Sequence, residues 1–258
     1  QLAPERERIW VFGAGKAAAS MAKALEDVAG STEALQGFVV TRRGHAVKTN
    51  VIEVVQAAHP VPDEDGQRAA RRLYKAISEV PISDAVIALV SGGGSSLLSV
   101  PVKEIPFVDL QQLNRALLSC GAPIDEMNIV RKHVTQTLGG QLAQVCRAPV
   151  FQLLISDVPG DDPAVVASGP TVPDTTTRED ALAIIRRYNI EVPTAVMNWL
   201  SRPESETPKA DDPRLARCET RTISTAQASL LAAAEVARAH GVTPLVLGDM
   251  IEGESADA

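Results

Sequence analysis

The short apolar run Ile9-Trp10-Val11-Phe12 passes straight into Gly13-Ala14-Gly15-Lys16, and then into a stretch, 17–28, with Met21, Ala24, Leu25 and Val28 at helical spacing. The order of strand, glycine loop and helix leaves few folds open, because strands and helices keep alternating along the chain. Phe38-Val39-Val40-Thr41 and 51–56 read as further strands. Residues 64–80 form an amphipathic helix with Ala69, Ala70, Leu73, Ile77 and Val80 as its buried stripe. Residues 85–90 are continuously apolar, as in a strand covered on both faces. Helical patterns follow at 109–120 and 125–146, a second buried strand at 150–155, and helices at 178–188 and 194–201. This pattern predicts a Rossmann-like, doubly wound α/β fold, its mostly parallel sheet carrying helices on both faces.

Pro203, Pro208 and Pro213 stand among charges in 201–214, which reads as a linker or exposed excursion. A new unit then begins, with strand 220–224, helix 226–240 and strand 243–247. The expected organisation is therefore a catalytic domain over 1–202, followed over 203–258 by a linker and the beginning of a second α/β domain. No helix follows the last strand, so the chain is expected to stop inside a domain, leaving Val246 and Leu247 uncovered. The first residue is Gln1 rather than Met, so the natural N-terminus is expected to be missing.

Composition narrows the class. Hydrophobic residues make up 45% of the 258 and charged residues 22%, which excludes a disordered or fibrous chain. No apolar run reaches the roughly 18 residues of a membrane span. A net charge of −7 argues against a nucleic-acid partner. Cys120, Cys146 and Cys218 are odd in number and far apart, so they read as ordinary thiols in a reducing compartment. The opening Pro4-Glu5-Arg6-Glu7-Arg8 is no signal peptide, and a cytoplasmic protein is expected.

Chemistry concentrates in three loops after strands, where open α/β sheets bind ligands. Gly13-Ala14-Gly15-Lys16 leads into a helix N-terminus, with bare backbone and a cation suited to an anion. A tight turn with a surface lysine would use the same residues. Gly13, Gly15 and Ala18 also satisfy a loose dinucleotide fingerprint, with Arg42-Arg43 available for a 2′-phosphate. Ser91-Gly92-Gly93-Gly94-Ser95-Ser96 is the strongest motif: three glycines flanked by hydroxyls can form a nest of N–H groups for phosphate. Ser156-Asp157-Val158-Pro159-Gly160-Asp161-Asp162 supplies carboxylates able to hold Mg²⁺ or take a hydroxyl proton, Asp157 and Asp161 being the metal candidates.

Arg131-Lys132-His133 is read as lying early in a helix that begins near Asn128, where positive charge implies a nearby anion. Arg131 and Lys132 diverge by about 100° on the helix, so at most one points straight into a site. His59, in Ala58-His59-Pro60-Val61-Pro62-Asp63, reads as structural to its loop, and no zinc pattern exists.

These segments, with Ala167-Ser168-Gly169-Pro170-Thr171, stand in an order that resembles the class II glycerate 2-kinases, often called hydroxypyruvate reductases of tartrate utilisation. The resemblance covers essentially the whole chain. It implies ATP and D-glycerate bound between two α/β domains, a Mg²⁺ requirement and 2-phosphoglycerate as product. It makes Lys16 and Asp157 catalytic, and it supports ATP-phosphate roles for Gly13, Gly15, Ser91, Gly92, Gly93, Gly94, Ser95 and Ser96. Arg131 and Lys132 are the glycerate-binding candidates, and a homodimer is left open. Two departures stand out. Leu138-Gly139-Gly140 replaces the family's Lys-Gly-Gly, and a C-terminal region with a further catalytic arginine is absent. The competing expectations are an NADPH-dependent hydroxypyruvate reductase and a catalytically incomplete anion-binding fragment.

Overall fold

The middle strand of the chain is buried along its whole length. In the computed structural model, which describes residues 8–250, β4 (Ala85–Ser91) exposes no residue, as helices on both faces require. It pairs with β1 (Ile9–Ala14) and β5 (Val150–Ile155). Outward lie β2 (Leu35–Arg42), β3 (Glu53–Ala57) and β6 (Cys218–Ser224). Every pair is parallel, in the order β3-β2-β1-β4-β5-β6. The direction of winding reverses between β1 and β4, which opens a crevice beyond their carboxyl ends. The charged residues 4–7 and the closing 251–254 lie outside the described residues.

One face of the sheet packs on α1 (Ala18–Val28), whose Ala18, Met21 and Ala22 meet Val11, Val39 and Leu89. The other is covered by α2 (Glu64–Ser78), the one-turn α3 (Gly94–Leu97) and α6 (Gln141–Val145). Asp63 starts α2 by accepting the Gly66 amide at 2.8 Å, with Glu64 and Asp65 at the positive end of the helix dipole. Four helices form a separate core: α4 (Phe107–Ser119), α5 (Ile124–Val134), α7 (Arg178–Arg187) and α8 (Thr194–Leu200). Leu110, Leu113, Leu117, Val130, Ile184 and Leu200 fill it, each worth roughly 1.5–3 kcal/mol of burial. No strand residue enters that cluster.

Four expectations are corrected. The single helix over 125–146 is two, because Gly139 (φ +58°) and Gly140 (φ +84°) take left-handed backbone between α5 and α6. The stretch 201–214 is no free linker: Ser205 and Thr207 are buried, and the Thr207 hydroxyl donates to Asp174 at 3.0 Å. The strand that was to open a second domain instead joins the existing sheet as β6, beside β5. Finally, 243–247 forms no strand but lies against α9 (Ala226–Ala239), leaving Leu245 and Leu247 exposed. Among the described residues, no helix is long and apolar enough to cross a membrane.

Candidate active site

The loops after β1, β4 and β5 meet at the sheet's carboxyl edge. There a β-carbon on Gly13 would lie 2.2 Å from the Leu89 carbonyl oxygen, and one on Gly15 2.2 Å from Ser91 Oγ. Both glycines thus let β1 close against β4. The Lys16 amide donates to the Gly92 carbonyl at 2.9 Å, and the Ala17 amide to Ser91 Oγ at 3.0 Å. The neighbouring loop therefore takes the backbone donors that the sequence offered to an anion. What the first loop turns toward the crevice is the Lys16 side chain.

Gly92 has a different reason to be bare. Its β-carbon would fall 1.6 Å from Asp157 Oδ2, so the carboxylate rests directly on this backbone. Lys16 Nζ stands 3.7 Å from the same oxygen. Gly93 turns the chain with φ +84°, and a β-carbon there would meet His59 Nε2 at 3.0 Å. Ser95 and Ser168 share a hydroxyl hydrogen bond of 2.8 Å, and Ser96 Oγ donates to the Gly93 carbonyl at 3.2 Å.

A pocket of about 290 Å³ results. Lys16, His59, Gly92, Gly93, Ser95, Ser96 and Asp157 form its sheet side, while Leu118, Ile124, Asn128 and Arg131 approach from α4 and α5. Of the expected residues, Gly13, Gly15, Ser91, Gly94, Lys132 and Asp161 do not line it. Asp161 has left-handed backbone (φ 55°) and a buried Oδ1 without a hydrogen-bond partner among the described residues.

Arg131 sits in the last turn of α5, since that helix starts at Ile124 rather than near Asn128. The dipole there favours a cation, so the expected unfavourable placement is withdrawn. The side chain is buried, with Nε donating to Asn114 Oδ1 at 2.9 Å and Nη1 to Asn128 Oδ1 at 3.0 Å. Burial lowers its pKa from the ordinary value. Among the described residues, no carboxylate forms an ion pair with it. Lys132 leaves the helix in another direction, and its Nζ is buried 3.1 Å from Asp174 Oδ1. A structural ion pair replaces its expected ligand role.

Sequence reasoning reads His59 as structural to its loop and passes over Asn114 and Asn128 as site residues. His59 had one usable sign, its place just after β3 on the edge that gathers the other loops. Its pKa is lowered, first by burial and then by Lys16, Arg42 and Arg131, with Asp157 opposing. Single asparagines inside helical patterns carry no such sign. Among the described residues, no group of three or more His, Cys, Asp or Glu could hold a metal. Mg²⁺ commonly uses one or two carboxylates with waters and substrate phosphates, and the pocket-facing Asp157 suits a site of that kind.

Sheet order and edge pocket together define a doubly wound α/β protein with a cationic crevice at the carboxyl ends of its strands. Residues 1–201 match the family model described as "Domain of unknown function (DUF4147)", and the chain belongs to that family. It is 47% identical over 257 residues to a protein of Agrobacterium vitis named "Putative hydroxypyruvate reductase", covering 98% of this chain and 58% of the relative. It is 37% identical to the D-glycerate 2-kinase of Thermotoga maritima, covering 98% and 59%. The crystal structure of a glycerate kinase from Thermotoga maritima superposes with a TM-score of 0.79 at 39% identity, over 91% of this chain and 55% of that one. These relatives bear out the resemblance to glycerate 2-kinases. The chain spans about three-fifths of the length of the curated relatives it matches.

Proposed function

We propose that this chain carries the phosphate- and substrate-binding crevice of an ATP-dependent D-glycerate 2-kinase. One observation carries the reading: Arg131, buried without a carboxylate partner among the described residues, opens into the same pocket as the Lys16–Asp157 pair. A cation left unmatched in that way is completed by an anionic ligand. In this assignment Arg131 receives the glycerate carboxylate, while Gly92, Gly93, Ser95 and Ser96 border the terminal ATP phosphates. Asp157 orients the C2 hydroxyl and takes its proton as the oxygen–phosphorus bond forms. Lys16 stabilises charge on the transferred group while the bond to the ADP oxygen breaks. Mg²⁺, where bound, would be held by Asp157 with nucleotide oxygens, and it supplies charge neutralisation there.

The reductase reading draws on the name of the Agrobacterium vitis relative. The geometry favours it less. Arg43, one of the two arginines read as available for a 2′-phosphate, is bonded to Asp63 at 2.6 Å and Asp65 at 2.7 Å, and β4 fills the space beside Gly13 and Gly15. Paired assays on the natural-length protein decide: ATP, Mg²⁺ and D-glycerate with product identification, against NADPH oxidation with hydroxypyruvate. Formation of 2-phosphoglycerate supports the kinase. NADPH oxidation alone replaces it with the reductase, and nucleotide binding without either turnover leaves an anion-binding module.

A further inference from the structure

We propose that Asn114 and Asn128 are positioning residues that give the pocket its preference for an anionic substrate, by fixing the Arg131 guanidinium while leaving its charge unmatched. The proposal rests on Arg131 as the receptor of the glycerate carboxylate. An arginine donates and never accepts, so its buried N–H groups need oxygen partners. A carboxylate would be the usual buried choice, since buried charges are normally paired. Here both partners are neutral amides.

The Asn114 amide is itself held. Asn114 is 2% exposed and belongs to α4. Its Nδ2 donates to the Leu110 carbonyl one turn earlier, at 2.9 Å, which turns Oδ1 toward Arg131 Nε. Asn128 lies one turn before Arg131 on α5 and takes Nη1. Nη2 has no partner among the described residues, in a side chain that lines the pocket. Two helices thus lock one rotamer of the arginine and reserve its outer donors and full charge for a ligand. Such preorganisation spares the ligand the cost of ordering the side chain.

Position and charge can be separated experimentally. In Asn114→Asp the replacement keeps the oxygen that accepts from Arg131 and supplies the missing negative charge, while giving up the Nδ2 bond to Leu110; Asn128→Asp supplies the charge without that loss. In the natural-length protein, KM for D-glycerate should rise about tenfold or more (about 1.4 kcal/mol), with kcat falling far less and KM for ATP steady. The uncharged analogue glyceramide should show no matching loss in kcat/KM. Asn128→Asp should repeat the pattern, and it serves if Asn114→Asp does not fold. An unchanged KM for D-glycerate in both variants, or equal losses for glycerate and glyceramide, would overturn the proposal. Arg131→Gln, run alongside, separates the two levels. If it raises KM for glycerate while the asparagine variants do not, the carboxylate receptor stands and the positioning role falls. If it leaves KM unchanged, the receptor reading itself falls, and this proposal with it.

Discussion

Lys16 Nζ and Asp157 Oδ2 lie 3.7 Å apart at the carboxyl edge of the sheet, with side chains 43% and 48% exposed. A pair so open to water contributes at most about 1 kcal/mol to stability, so the fold has little need of it. Lys16→Ala and Asp157→Asn should each abolish turnover and leave thermal unfolding nearly unchanged. A near-normal kcat in either variant would remove that residue from the reaction.

Gly92→Ala tests the seat of the carboxylate. Its methyl group would occupy the place of Asp157 Oδ2 and force that side chain away from Lys16. Misplacement of a reacting group by an ångström can cost about 10²-fold in rate, and a kcat loss of that order is expected. Gly30 is the control, because a β-carbon there meets nothing within 4 Å. Equal kinetics for Gly92→Ala and Gly30→Ala would refute the assigned contact.

Lys132 and Asp174 should matter to folding rather than to substrate. Lys132→Met leaves the Asp174 carboxylate buried with only the Thr176 amide and the Thr176 and Thr207 hydroxyls, a loss of about 3–5 kcal/mol, while KM for glycerate should hold. Burial raises the Asp174 pKa, but Lys132 and Thr176 outweigh it, so the net shift is below the ordinary 3.8. The pair's contribution is therefore complete above that ordinary value and is lost as pH falls through the lower folded one. Thermal unfolding followed into acid should show less of this loss in Lys132→Met than in the parent.

His59 offers a reporter of bound phosphate. Its pKa is held below 6.5 by burial and by the neighbouring cations Lys16, Arg42 and Arg131. The unfolded chain therefore takes this proton first, and stability falls as pH drops from 6.5 toward the folded value. An anion bound beside Gly93 should reverse the shift, so ATP should move the His59 imidazole titration upward by NMR. With four histidines in the chain, a single moving resonance is assignable through His59→Asn. A titration unmoved by ATP would place the phosphates elsewhere.

Local pattern carried much of the fold. The apolar run read at 150–155 is β5 to the residue, and 85–90 falls one residue short of β4. The split between α5 and α6 was signalled by Gly139-Gly140, yet apolar periodicity on either side masked it. The membership of β6 in the sheet had no local signal, because strand pairing across 68 residues, Gln152 to Thr220, is decided by packing. At the site, the strand-end position of their loops singled out Lys16, Gly92 and Asp157, which line one pocket, while the roles given to Lys16 and Asp157 came from the resemblance. Arg131 and Lys132 could not be told apart until the helix had a neighbour on each side. The amides of Asn114 and Asn128 become visible only when α4 is laid against α5.

The separate core of α4, α5, α7 and α8 has a mechanical consequence. Lys16, His59 and Gly92 stand on loops of the sheet, whereas Leu118, Ile124, Asn128 and Arg131 stand on helices packed apart from it. A molecule that touches Lys16 and Arg131 together is then a rivet through two plates, each with its own apolar core. Amide exchange along α4 and α5 should slow when it binds, even where the ligand makes no contact. Affinity for the ligand and stiffness of the joint rise together, so any substitution that loosens one plate against the other weakens binding from a distance.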